Sequence, residues 1–321
     1  MASRLHDIHP SRTWGTGYHV PALVDAVLEL LGAGTLVLDG TLGGGGHSAA
    51  LLGAGVARVI GIDRDPDALD SATARLAPES SAGRFEAHTA NYANLDRVPA
   101  LHDIRFSGIL LDLGLSSHQI DDAARGFSFR EGAPLDMRMG GDAVRSAADL
   151  LNESDEAELT MLFRTFGDEP RAGRLAREIV RRRATRPFAT SDDLVGAIRA
   201  TFGARSGAPE FARLFQAVRI AVNDELAGVE RALPSLRDRL APGGTLAVIA
   251  YHSGEDRLVK HAFRAWSEDC LCPPRHPMCT CGGNHSLGTV VTRRAVTAST
   301  EETANNPRAR SARLRAWQRA R

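Results

Sequence analysis

The chain has 321 residues, 43% of them hydrophobic and 24% charged, with 31 glycines; this excludes a disordered, collagen-like or coiled-coil chain and suffices for two domains or one with a large insert. Its 39 basic and 39 acidic side chains cancel, which excludes a uniformly basic nucleic-acid coat protein and shifts attention to local patches. Uncharged apolar stretches such as Thr245 to Tyr251 fall far short of the roughly 20 residues a spanning helix needs, and the opening MASRLHDIHPSRTWGTG has no apolar h-region, so a cytoplasmic protein without membrane contact is expected.

Thr35 to Leu38 predicts a buried strand running into Asp39 and a glycine cluster. A small-residue helix opens over Ser48 to Leu52. A second strand, Arg58 to Ile62, ends at Asp63 and is followed by a helix from about Pro66 to Leu76. Phe85 to Ala87 and Ile109 to Leu111 supply a third and a fourth strand, the latter ending at Asp112. This alternation predicts an α/β, doubly wound parallel sheet, whose carboxyl edge is where ligands sit. From about Ala143 to Ala204 amphipathic helices follow one another without strands, over Asp155 to Phe166, Ala172 to Arg183 and Ser191 to Phe202, as in an inserted helical subdomain. A helix from Arg213 to Leu240, a Pro242-Gly243-Gly244 turn and a strand from Thr245 to Tyr251 resume the pattern, and Leu287 to Thr297 reads as a late antiparallel strand. The expected division is core over 1–140, helical insert over 141–210, core again over 211–302, and a basic tail over 303–321.

The loop Asp39-Gly-Thr-Leu-Gly-Gly-Gly-Gly-His47 follows a strand and opens a helix, so glycine lets its backbone approach a nucleotide-like cofactor. Gly44-x-Gly46-x-x-Ala49, with Asp63 spaced to meet ribose hydroxyls, also satisfies the dinucleotide pattern and keeps NAD open as an alternative. Asp39 tips the balance toward S-adenosylmethionine, because a carboxylate beside the loop would repel a pyrophosphate and suit an ammonium and a sulfonium. Asp63 could instead cap the next helix, a task open to Asp65 as well.

Asp112 ends the fourth strand, where amino-group methyltransferases hold the target amine. Two idiosyncratic segments follow, Arg125-Gly-Phe-Ser-Phe-Arg130 and Pro134-Leu-Asp-Met-Arg-Met139. With them the chain closely resembles the small-subunit ribosomal RNA methyltransferase H family. The likeness runs through His19-Val-Pro21, Asp39 to Ser48, Ile62 to Pro66, Leu111 to Gln119, Phe215 to Ile220 with Asn223, His252-Ser253 and Asn306 to Arg315. It implies a Rossmann-like class I S-adenosylmethionine-dependent methyltransferase that makes N4-methylcytidine in the decoding region of 16S ribosomal RNA in the small ribosomal subunit, with a homodimer left open. Carried over by position, the cofactor contacts are Gly45, Gly46, His47, Asp63, Tyr92, Asp112 and Gln119, joined by Asp39 from the loop. Asp112 with Ser116, Ser117 and His252 would serve the target base. The chain departs from the family pattern at His118, where proline is usual, at Gly254, within what is usually Ser-Leu-Glu-Asp, and at Ala208 to Arg213, which lacks the His-Pro start.

Between Arg164 and Arg186 lie eight arginines against Asp168, Glu169 and Glu178. A concentrated arginine face suits a phosphate backbone, and Arg181, Arg182 and Arg183 are the expected RNA contacts. The tail after Thr303 carries six arginines and no acid, and is expected to fold only on RNA. Cys270-x-Cys272 and Cys279-x-Cys281, near His276 and His285, have the ligand number of a zinc knot without the common C-x-x-C spacing. They are read as reduced thiols, and no metal is assigned to catalysis. Two other functions are compatible with such a fold. A non-catalytic assembly factor is disfavoured by the intact Asp39, Gly45, Gly46, Asp63 and Asp112, and a DNA cytosine N4-methyltransferase by Asp112-Leu-Gly-Leu in place of an Asp/Ser-Pro-Pro-Tyr motif.

Overall fold

Among the described residues eight strands share one sheet: β1 (Leu36–Asp39), β2 (Arg58–Asp63), β3 (Phe85–Thr89), β4 (Phe106–Asp112), β5 (Leu240–Ala250), β6 (Gly288–Val290), β7 (Val296–Thr297) and β8 (Arg313–Arg319). The computed structural model describes residues 21–273 and 279–321, apart from the side chains of Ser117 and His118. The strand order is β3-β2-β1-β4-β5-β8-β6, with β7 also on β8. Every pairing from β3 to β5 is parallel, and β8 runs antiparallel to β5, β6 and β7. This is the expected α/β, doubly wound, Rossmann-like sheet. Successive strand residues face opposite sides, so Val37, Val59, Leu110 and Ile249 join one core and Leu38, Ile60, Ile109 and Val248 the other. Because helices cover both faces, the central strands read as unbroken apolar runs. No helix among the described residues is long and apolar enough to cross a membrane.

The helices Ala147–Glu153, Glu156–Thr165, Ala172–Arg183, Ser191–Phe202 and Ala208–Asn223 form a body with its own core. That core includes Leu135 and Met137 before the expected insert and Phe211 to Val222 after it, so the helical unit is longer than 141–210. The helix expected over Arg213 to Leu240 is two helices, broken where Asp224 turns left-handed (φ 51°, ψ 39°) between Asn223 and Glu225–Asp238. Asn223 explains the break. Its buried amide donates to the Met137 carbonyl at 2.7 Å and accepts from the Met139 amide at 2.8 Å, tying helix to loop.

Three further expectations are corrected. The Pro242-Gly243-Gly244 turn lies within β5, at a register shift opposite Phe106 and Gly108. The Leu287 to Thr297 strand is split into β6 and β7, because the Thr292 hydroxyl accepts the Ala316 amide in place of a ladder carbonyl. The basic tail is no free arm: β8 sits between β5 and β6 with Leu314, Ala316 and Trp317 fully buried. Arg315 pairs with Asp256 at 2.6 Å, and Arg319 donates to the Asp238 and Leu240 carbonyls.

Candidate functional site

The carboxyl ends of β1, β2, β4 and β5 converge on one cleft, lined by Gly40 to Gly44, Gly46, His47, Asp63, Tyr92, Asp112, Ser116, Gln119, Tyr251 and Glu255. Backbone bonds hold the glycine loop over it: the Gly40 amide donates to the Leu110 carbonyl at 2.9 Å and the Leu42 amide to the Ile62 carbonyl at 3.0 Å. A Cβ on Gly40 would lie 2.5 Å from the Leu111 side chain, and one on Gly46 would lie 3.0 Å from Pro21, so glycine lets the loop pack closely against both.

Asp63 closes β2 beneath the loop. Its carboxylate accepts the Gly43 amide at 2.8 Å and the Asp65 amide at 3.0 Å, while burial pushes it up to about 6. The cap of the helix Pro66–Arg75 is Asp65, which accepts from Asp67, and this leaves Asp63 to the loop and cleft. Asp65 is itself buried under Gln119 at 2.8 Å and Arg125 at 2.9 Å. Gln119 in turn accepts the Ser116 amide at 3.1 Å, so the stretch after β4 is fixed to the end of β2.

Asp112 ends β4 and faces the cleft. Its amide donates to the Thr41 hydroxyl at 2.6 Å, and the Tyr251 hydroxyl donates to one carboxylate oxygen at 2.9 Å. The other oxygen lies 3.7 Å from Nδ1 of His47. Nε2 of His47 is 2.9 Å from the Ala22 carbonyl; a carbonyl can only accept, so Nε2 donates there and Nδ1 is the ring nitrogen that faces Asp112. Burial pushes the Asp112 carboxyl up to about 6, with His47 and Tyr251 opposing the rise. The Glu255 carboxyl, also penalised by burial, is nevertheless held below its ordinary value by His252, the Tyr251 amide and Arg219. Glu225 also lines the cleft but is paired with Arg219 at 2.8 Å, and Arg64 lines it too, so the acids left to face a ligand are Asp63, Asp112 and Glu255, a set that favours a cationic ligand over a pyrophosphate.

A profile of the MraW methylase family matches residues 16–320. The chain belongs to that family. Its sequence is 63% identical over 311 residues to the ribosomal RNA small subunit methyltransferase H of Gemmatimonas aurantiaca, covering 97% of this chain and 98% of the relative. It is 46% identical over 313 residues to the protein of that name from Heliobacterium modesticaldum, covering 95% and 99%. A solved rRNA methylase from Streptococcus thermophilus aligns over 93% of this chain and 94% of its own at 13% identity, with a TM-score of 0.39.

Within this member of the MraW family, the predicted residues divide. Gly46, His47, Asp63, Tyr92, Asp112, Ser116 and Gln119 meet at the cleft. Asp39 does not: it turns behind the loop, where it accepts Ser48 at 2.7 Å and the Thr41 amide at 3.4 Å, because β1 ends inside the sheet and alternation aims this side chain at the helix Gly46–Gly53. Gly45 also faces away, with φ +73° and a Cβ that would press on Ala72 and Leu76 at 3.2 Å, so it serves helix packing. His252 borders the two grooves beyond the cleft and caps the helix Ser253–Ala265, accepting the Gly254 amide at 3.2 Å. Gly254 tightens this cap, since a Cβ there would lie 3.1 Å from the His252 ring. The Ser117 side chain, His19 and His276 lie outside the described residues.

The arginine trio divides as well. Arg181 is exposed and paired with Glu178 at 2.8 Å, Arg182 shares that carboxylate at 2.6 Å, and Arg183 turns inward to the Leu151 and Ser154 carbonyls at 2.8 and 2.6 Å. Arg183 is therefore committed to the end of the helix Ala147–Glu153. Sequence reasoning missed Thr41, Tyr251 and Glu225. Tyr251 had a usable signal: it directly follows the β5 run, the strand beside the one that ends in Asp112.

Proposed function

We propose that the chain methylates the exocyclic N4 amine of a cytidine in the decoding region of small-subunit ribosomal RNA. The cofactor is S-adenosylmethionine, which supplies a methyl group on a sulfonium. The cleft fits it: the glycine loop Gly40 to Gly46 borders the cleft, and the Asp63, Asp112 and Glu255 carboxyl groups in its lining oppose an anionic nucleotide. Asp63 and Gln119 would hold the ribose side and Tyr92 the adenine side. The names of the two curated relatives point to the same RNA.

Asp112 is the observation that carries the proposal. A cytosine amine is a poor nucleophile because its lone pair is delocalised into the ring, so its N–H groups must be held and its growing positive charge met. An Asp112 carboxylate held by Tyr251, on a backbone anchored through the Thr41 hydroxyl, offers the acceptor, and with its carboxyl pushed up to about 6 it can take the amine proton near neutral pH. The test is nucleoside mass spectrometry of 16S ribosomal RNA from cells with and without the gene. Loss of N4-methylcytidine with the gene, and its return on complementation, is expected; an unchanged level would refute the proposal.

A further inference from the structure

We infer that Cys270, Cys272, Cys279 and Cys281 bind one zinc ion, forming a structural staple remote from the methyltransferase cleft in the segment between the helix Ser253–Ala265 and β6. The four sulfurs all lie within 4.8 Å of one another. Three of their separations are 3.7 Å (Cys270 to Cys279), 3.6 Å (Cys279 to Cys281) and 3.7 Å (Cys281 to Cys270). A tetrahedron of thiolates about 2.3 Å from a central zinc has edges of about 3.8 Å, which these separations match. Disulfides would need about 2.05 Å, and all four cysteines are free. The compact four-sulfur set suits a single ion and is too tight to enclose a cluster of several irons.

The surroundings are those of thiolates. The Thr280 amide donates to Cys272 Sγ at 3.2 Å and the Leu271 amide to Cys281 Sγ at 3.4 Å, while His285 is engaged with the Cys281 carbonyl at 2.9 Å. Such outer contacts orient metal ligands and favour their charged form. Four thiolates gathered without a cation would repel one another. Among its described residues the segment shows no apolar anchor of its own: Cys270, Leu271, Pro273, Cys279 and Thr280 are exposed, and Gly282 and Gly283 turn the chain at φ +81° and +69°. Described residues that bury so little apolar surface gain their fixed shape from a cross-link. The rest of the loop is tied to the sheet through the His285 amide on the Asp269 carbonyl at 3.1 Å and the Leu287 amide on the Trp266 carbonyl at 2.8 Å, so a zinc ion would complete its closure.

The experiment is elemental analysis of the full chain purified without a polyhistidine tag or chelator, paired with cobalt substitution. One zinc per chain is expected, with thiols that react only after zinc is displaced, and the cobalt form should show the intense visible bands of a tetrahedral thiolate site. The double variant Cys270→Ser/Cys281→Ser should lose the metal while cofactor binding is unchanged. If that variant does not fold, the cobalt spectrum of the parent decides alone. Zinc-free protein with four freely reactive thiols, a pair of disulfides, or zinc retained by the double variant would each overturn the inference.

Discussion

Replacing Tyr251 with phenylalanine isolates the hydrogen bond on which the chemistry of Asp112 turns. The ring and its packing remain, and only the hydroxyl that donates to the Asp112 carboxylate at 2.9 Å is lost. A hydrogen bond to an ionised group is worth roughly 1.5–3 kcal/mol, and one pKa unit corresponds to about 1.4 kcal/mol. Losing the bond should therefore lift the Asp112 carboxyl from about 6 to about 7–8. If the carboxylate is the form that accepts the amine, half or more of the variant is incompetent at pH 7. Single-turnover methyl transfer, followed from about pH 5 to about pH 9 at saturating cofactor, should rise through about 6 in the parent and one to two units later in the variant, with recovery at the alkaline end. Tyr251 remains a donor throughout, since burial and then Asp112 raise its hydroxyl well above the ordinary phenol value. A profile that falls in height without moving along the pH axis would refute this account.

Asp112→Asn should keep much of the cofactor affinity and lower the single-turnover rate by about 10² or more; weakened binding with a normal rate at saturation would assign Asp112 to the cofactor alone. Asp63→Ala, which removes the acceptor of the Gly43 and Asp65 amides, should weaken S-adenosylmethionine binding by roughly 1–3 kcal/mol in calorimetry. In the parent, Asp63 and Asp112 both titrate near 6 because burial disfavours their charge. A cationic cofactor favours the ionised forms, so affinity should fall as pH drops through about 6, and binding there should release protons, as buffers of different ionisation enthalpy would show. Arg183→Ala should lower the melting temperature by leaving the Leu151 and Ser154 carbonyls unpaired; Arg181→Ala should leave it unchanged and flatten the salt dependence of RNA binding.

The strands that flank the cleft were legible because each is an apolar run stopped by a polar residue, as in Leu-Val-Leu-Asp39 and Ile-Leu-Leu-Asp112. The last strand was also written in the sequence. Arg313-Leu-Arg-Ala-Trp-Gln-Arg319 places Leu314 and Ala316 at strand spacing, but its charge suggested a tail, and only the structure shows Arg315 and Arg319 occupied with protein partners. Asp39 and Asp112 look alike on paper, each an acid at a strand end. Which one faces the cleft depends on Ser48, which takes one carboxylate, and Tyr251, which takes the other, and no pattern local to either strand reports those partners. The closeness of the four cysteine sulfurs was not legible for a related reason, since their mutual distances come from how the loop folds back and not from how many residues separate them.

The Asn223 joint has a consequence for how the two bodies communicate. Its amide grips the loop at Met137 and Met139, and its carbonyl receives Arg64 at 3.2 Å, whose side chain lines the cofactor cleft. Buried polar groups left unpaired cost about 1–3 kcal/mol each, so the helical body cannot swing on a loose hinge while these bonds last. A ligand that shifts the helical body must either drag the cleft wall with it or break the joint, and a ligand that orders the cleft wall acts back on the helices through the same bonds. Thermodynamic reciprocity then requires that whatever one ligand gains from the other be returned in equal measure.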